Sequence, residues 1–81
     1  MKVIVKLFGG LTTLKDFQKT EEGDIIFETS EPLTLGDLIT SLSLNKKPFI
    51  IILNGIIQNE LSVSLKDGDE ISLFPPIAGG K

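Results

Sequence analysis

The groups in this chain that could do chemistry are few. Eight lysines, eleven carboxylates, hydroxyls, side-chain amides and the chain termini are present, while Cys, His, Trp, Tyr and Arg are absent. Without Cys there is no disulfide and no thiolate nucleophile. Without Cys and His the ordinary zinc, haem and iron–sulfur ligand sets are missing. Without His the commonest general base at neutral pH is gone. No convincing nucleophile–base pair can be assembled from the remainder, so a self-contained enzyme is the least supported reading. No bound cofactor and no metal site are expected. Without Arg there is no bidentate clamp for phosphate or guanine. The net charge is −3, and the five Phe lie in or beside apolar runs, so nucleic acid is not an expected partner.

Three small clusters each have a structural reading. Gly9-Gly10 follows a strand-like segment, where phosphate loops sit, but the rest of a phosphate-loop or dinucleotide fingerprint is missing. A turn is expected. Asp67, Asp69 and Glu70 offer oxygen ligands for a hard cation, yet Asp-Gly is a turn dipeptide and the spacing is not that of a calcium loop. Thr34 and Asp37 read as a helix cap.

The tail is different. Pro75 and Pro76 cannot donate to a sheet, and together they favour an extended conformation that projects the chain outward. Ile77 supplies one apolar anchor, and Ala78, Gly79 and Gly80 have almost no side chain. From Phe74 to Gly80 the chain can reach about 20 Å. A stiff root, an anchor and a thin tip suit a terminal carboxylate threaded into another protein's narrow active site. The bland alternative is a frayed terminus.

A domain must hold that tail out. The 81 residues make one domain, which buries only about 60% of its unfolded surface and needs an efficient core. The 41% hydrophobic content supplies it. Residues 2–8 alternate as a strand, with Val3, Val5 and Leu7 on one face. Residues 11–22 are mixed, and the spacing of Leu11, Leu14 and Phe17 permits a short helical turn. Residues 25–29 read as a second strand. After Pro32, Thr34 caps an amphipathic helix carrying Leu35, Leu38, Ile39 and Leu42. Residues 49–53 form a strand apolar on both faces, and Asn54-Gly55 turns it into a short strand at 56–58. Asp67-Gly68 leads into a last strand at 70–74. The order is strand, strand, helix, strand, strand, strand, which suits an α+β two-layer domain. One helix covers one sheet face, yet Ile4, Phe8 and Phe74 share phase with the polar positions of their strands. An apolar patch on the open face is expected, and such a patch marks an interface. The longest apolar run, residues 49–53, has five residues where a membrane span needs roughly 20. Residues 1–6 show no signal-peptide core. A soluble cytoplasmic protein with no membrane contact is expected.

The run Asp67-Gly68-Asp69-Glu70-Ile71-Ser72-Leu73-Phe74-Pro75-Pro76-Ile77-Ala78-Gly79-Gly80 resembles the C-terminus of the MoaD/ThiS sulfur-carrier family. The opening Lys2-Val3-Ile4-Val5-Lys6-Leu7-Phe8, the Leu35-x-x-Leu38 helix and Ile52-Leu53-Asn54-Gly55 look similar too. Phe-Pro-Pro before the tip looks more like MoaD, the small subunit of molybdopterin synthase, than ThiS. The resemblance implies a ubiquitin-like β-grasp fold: a mixed sheet of four to five strands with one main helix on one face. It implies a domain at residues 1–74 and an extended tail at residues 75–81.

The resemblance further implies a carrier, not an enzyme. Gly80, with Gly79 before it, would be adenylated by a MoeB/ThiF-type adenylyltransferase using ATP, then converted to a thiocarboxylate. Phe74, Phe8 and Ile4 would dock partners, and Pro75, Pro76, Ile77 and Ala78 would line a tunnel. The sulfur would pass to the large subunit of molybdopterin synthase or to another acceptor enzyme. ThiS-like thiazole synthesis, a ubiquitin-like protein modifier and a plain interaction module with an inert tail are the alternatives. Lys81 departs from the pattern, because the family's working form ends at Gly-Gly. A peptidase that removes Lys81, perhaps-free of any other role, would restore it; a leftover or divergent residue is the other explanation.

Overall fold

The computed structural model describes residues 1–76. Its elements are β1 (Lys2–Leu7), β2 (Gln18–Lys19), β3 (Ile25–Glu28), α1 (Leu35–Leu42), β4 (Ile50–Leu53), β5 (Ile56–Ile57) and β6 (Glu70–Phe74). They form one mixed sheet in the order β2-β3-β1-β6-β4-β5, with α1 against one face. β1 and β6 run parallel in the centre, and every other pairing is antiparallel. The sheet has six strands where four to five were expected. The extra one is β2, which pairs with the outer edge of β3. The helical turn that Leu11, Leu14 and Phe17 permit does not form: Leu11 is buried, Leu14 is exposed and Phe17 is half-buried, so the three share no face.

Alternation puts Val3 and Val5 of β1, Ile71 and Leu73 of β6, and Ile51 of β4 under the helix. Leu35, Leu38 and Leu42 meet them, and all three are fully buried. The cap reads as the sequence implies. The Asp37 N–H donates to Thr34 Oγ1 at 3.1 Å, and the Thr34 N–H donates to Asp37 Oδ2 at 3.2 Å. The first-turn amides find unusual partners. Leu35 N–H donates to the Val63 carbonyl and Gly36 N–H to the Leu61 carbonyl, both at 2.9 Å. A methyl on Gly36 would stand 3.3 Å from the Leu61 carbonyl oxygen, so a glycine in the first turn lets this loop close on the helix. The irregular segment 59–65 thus satisfies donors that a helix start leaves open.

The acidic cluster is a turn. Asp67 Oδ1 accepts from Lys2 N–H at 2.8 Å, and Asp69 Oδ2 accepts from Lys66 N–H at 2.7 Å. Asp69 Oδ1 accepts from Asn54 Nδ2 at 3.0 Å, while Asn54 Oδ1 accepts from Glu70 N–H at 2.9 Å. These bonds tie the start of β1, the β4–β5 turn and the start of β6 together. Asp69→Ala is expected to cost about 1–3 kcal/mol, because it leaves two donors without their charged acceptor. Urea unfolding monitored by circular dichroism checks this.

Candidate docking face and tail exit

Because β1 and β6 are parallel, both end at the same edge of the domain. Their register pairs Leu7 with Leu73, which brings the next residues, Phe8 and Phe74, side by side. The two rings stack with centroids 4.4 Å apart and planes 4° from parallel. β4 adds Ile50, which pairs with Phe74. Phe8, Phe74 and Ile50 therefore make an apolar row across three strands, on the face that α1 does not cover. Phe8 is 41% exposed and Ile50 37% exposed. The row extends toward the sheet edge through Ile52 and its cross-strand partner Ile57, which is exposed. Pro75 and Pro76 leave directly from this row, and both are exposed.

Below the row the face turns polar. Lys6 and Glu70 pair at 3.1 Å. The hydrogen bond to Glu70, and then its charge, hold the Lys6 ammonium above the ordinary lysine value. The contribution of this pair is complete at neutral pH and is lost only as the pH rises through the raised value. The pair is open to water and contributes little to stability. Ile4 shares the face, half-buried beside Ile26, but Lys6 separates it from Phe8. Four strand steps, about 13 Å, lie between Ile4 and Phe8.

The site residues expected from sequence divide accordingly. Phe8, Phe74, Pro75 and Pro76 come together, and Ile4 stands apart on the same face. Ile77, Ala78, Gly79 and Gly80 lie outside the described residues. Ile50 and Ile57 were not singled out from sequence, because their membership depends on strand register. Gly9-Gly10 is the expected turn: Leu11 N–H donates to the Phe8 carbonyl at 3.2 Å, and both glycines have positive φ, 65° and 85°. A recess of about 490 Å³ beside it is lined by Lys15, Lys19, Asp16, Glu22 and Asp24 among others. It mixes both signs of charge and has no nucleophile–base pair.

A model of the ThiS family matches residues 5–80 of the chain. Among solved structures, a chain in the protein–protein complex of subunits 1 and 2 of molybdopterin-converting factor from Helicobacter pylori 26695 is 30% identical, with a TM-score of 0.63. The match covers 99% of this chain and 100% of that chain. SAMP1 from Haloferax volcanii is 20% identical with a TM-score of 0.64, covering 99% and 100% of the two chains, and bears on the fold alone. No protein of curated function matches significantly.

Proposed function

We propose that this chain, which belongs to the ThiS family, carries sulfur on the carboxylate of Gly80 and delivers it in molybdopterin biosynthesis. The observation that carries the reading is the family match, which runs through the tail and ends on Gly80. The molybdopterin assignment rests on the 30% identical chain, which sits in a complex of molybdopterin-converting factor subunits. The chain is a carrier subunit and works through its partners' active sites.

The chemistry needs no side chain of its own. A carboxylate is a poor electrophile. A MoeB/ThiF-type adenylyltransferase joins the Gly80 carboxylate to the α-phosphate of ATP and releases pyrophosphate. A sulfide equivalent then attacks the acyl carbon, the C–S bond forms, and AMP leaves. The product is a thiocarboxylate whose sulfur passes to a precursor held by the large subunit. The row of Phe8, Phe74 and Ile50 docks each partner in turn. Pro75 to Gly79 span the distance from that row to the partner's reacting centre.

Lys81 lies beyond the family match. With Lys81 attached, the Gly80 carbonyl is part of an amide and cannot be adenylated. A peptidase of the JAMM zinc-metalloprotease class that cleaves after Gly80 would release the working form. ATP–pyrophosphate exchange tests the first step. The chain ending at Gly80 is expected to support exchange with the adenylyltransferase, and the chain ending at Lys81 is not. Complementation then assigns the pathway: rescue of a strain lacking the small subunit of molybdopterin synthase supports this reading. Rescue only of a strain lacking the thiazole carrier contradicts it in favour of thiamine synthesis.

A further inference from the structure

The ring of Pro75, the first residue after β6, lies on the backbone of Gly9. A methyl group at residue 9 would overlap it, closing to 2.5 Å from Pro75 Cδ and nearer still to Cγ. The ring cannot swing aside, because it is closed on its own backbone nitrogen. Gly10 is a natural contrast. Its φ is also positive, but a methyl there would meet only Lys47 Nζ, at 3.1 Å, the free end of a flexible side chain. The turn accounts for positive φ at both positions, where Asn or Asp often serve as well. Only the Pro75 contact accounts for the lack of any side chain at residue 9.

The seat is firmly held. Phe8 N–H donates to the Leu73 carbonyl at 3.1 Å, which extends the β1–β6 ladder one rung past the strand. Phe8 and Phe74 stack beside it. On the far side, Asn45 Nδ2 donates to the Gly10 carbonyl at 3.1 Å and Asn45 Oδ1 accepts from Thr12 N–H at 3.0 Å. We infer that Gly9 is a positioning residue for the tail. By admitting the Pro75 ring against its backbone, it sets the direction in which the chain leaves the domain relative to the row of Phe8, Phe74 and Ile50. The consequence for sulfur transfer rests on the function proposed above: a partner docked on the row receives the terminal glycine at one angle. A changed angle lowers the fraction of encounters in which the carboxylate meets the reacting centre.

The chain lacks cysteine, so Lys81→Cys provides a unique site for a nitroxide label. Paramagnetic broadening of backbone amides then maps the tail's direction in the parent, Gly9→Ala, Gly10→Ala and Pro75→Ala chains. Gly9→Ala and Gly10→Ala share the positive-φ strain and are expected to lose similar thermal stability. The map of Gly10→Ala is expected to match the parent. Those of Gly9→Ala and Pro75→Ala are expected to depart from it, and Pro75→Ala reaches the seat without touching the turn. With chains ending at Gly80, kcat for adenylation is expected to fall ~10–100-fold in Gly9→Ala with KM little changed, and by less than about threefold in Gly10→Ala. A Pro75→Ala map identical to the parent overturns the inference, as does equal loss of kcat in the two glycine variants. If the parent ending at Gly80 is never adenylated, the carrier function fails, and the broadening maps decide the seat by themselves.

Discussion

Leu38→Ala is expected to destabilise the domain by about 2–5 kcal/mol, read as a lower midpoint in urea. Leu38 is fully buried, at the middle of the only helix among the described residues. That helix has eight residues, including Gly36, Thr40 and Ser41. Isolated helices shorter than roughly 12–15 residues are marginal in water, so α1 depends on its packing against the sheet. Truncating Leu38 removes its central contact and leaves a cavity over the β1–β6 pair. Domains of this kind are stable by about 5–15 kcal/mol in total, so the loss is a large share. Phe27→Ala is expected to cost less. Phe27 is only half-buried and meets Phe17 in a tilted pair 6.2 Å apart.

Phe74→Ala is expected to weaken partner binding by roughly thirtyfold or more, which corresponds to about 2 kcal/mol. Phe74 is the middle of the apolar row, stacked on Phe8 and paired with Ile50. Its removal deletes the aromatic centre of the face and frees the Phe8 ring. Aromatic residues at the centre of an interface carry a disproportionate share of its affinity. Calorimetric titration against the large subunit of molybdopterin synthase measures the effect. Lys2→Ala, at the opposite end of β1, is expected to leave affinity nearly unchanged. Equal weakening by the two substitutions would place the docking surface elsewhere.

Local pattern made the helix and its cap legible. Thr34, Asp37 and the leucines at 35, 38 and 42 state their roles within nine residues. The central strands were legible by alternation, and the open-face position of Phe8 and Phe74 followed from the same period. The rest was written in tertiary contacts. Gln18 and Lys19 carry no strand pattern of their own and are recruited by the free edge of β3. Leu11, Leu14 and Phe17 have helical spacing, but the chain there follows the sheet edge, and only Leu11 reaches the core. Ile50 joins the row through a register set 24 residues away in sequence. Gly9 meets Pro75 across 66 residues, so no local rule connects them. The Asp67–Asp69 turn was legible as a turn, whereas its bonds to Lys2 and Asn54 were not.

The central claim is that Gly80 carries the sulfur. Intact-mass analysis tests it on the chain ending at Gly80, incubated with the adenylyltransferase, ATP and a sulfide donor. The expected result is a mass gain of one oxygen-to-sulfur exchange, mapped by fragmentation to the terminal glycine and absent when ATP is withheld. An unchanged mass, with an adenylyltransferase that is active on its own carrier, contradicts the account.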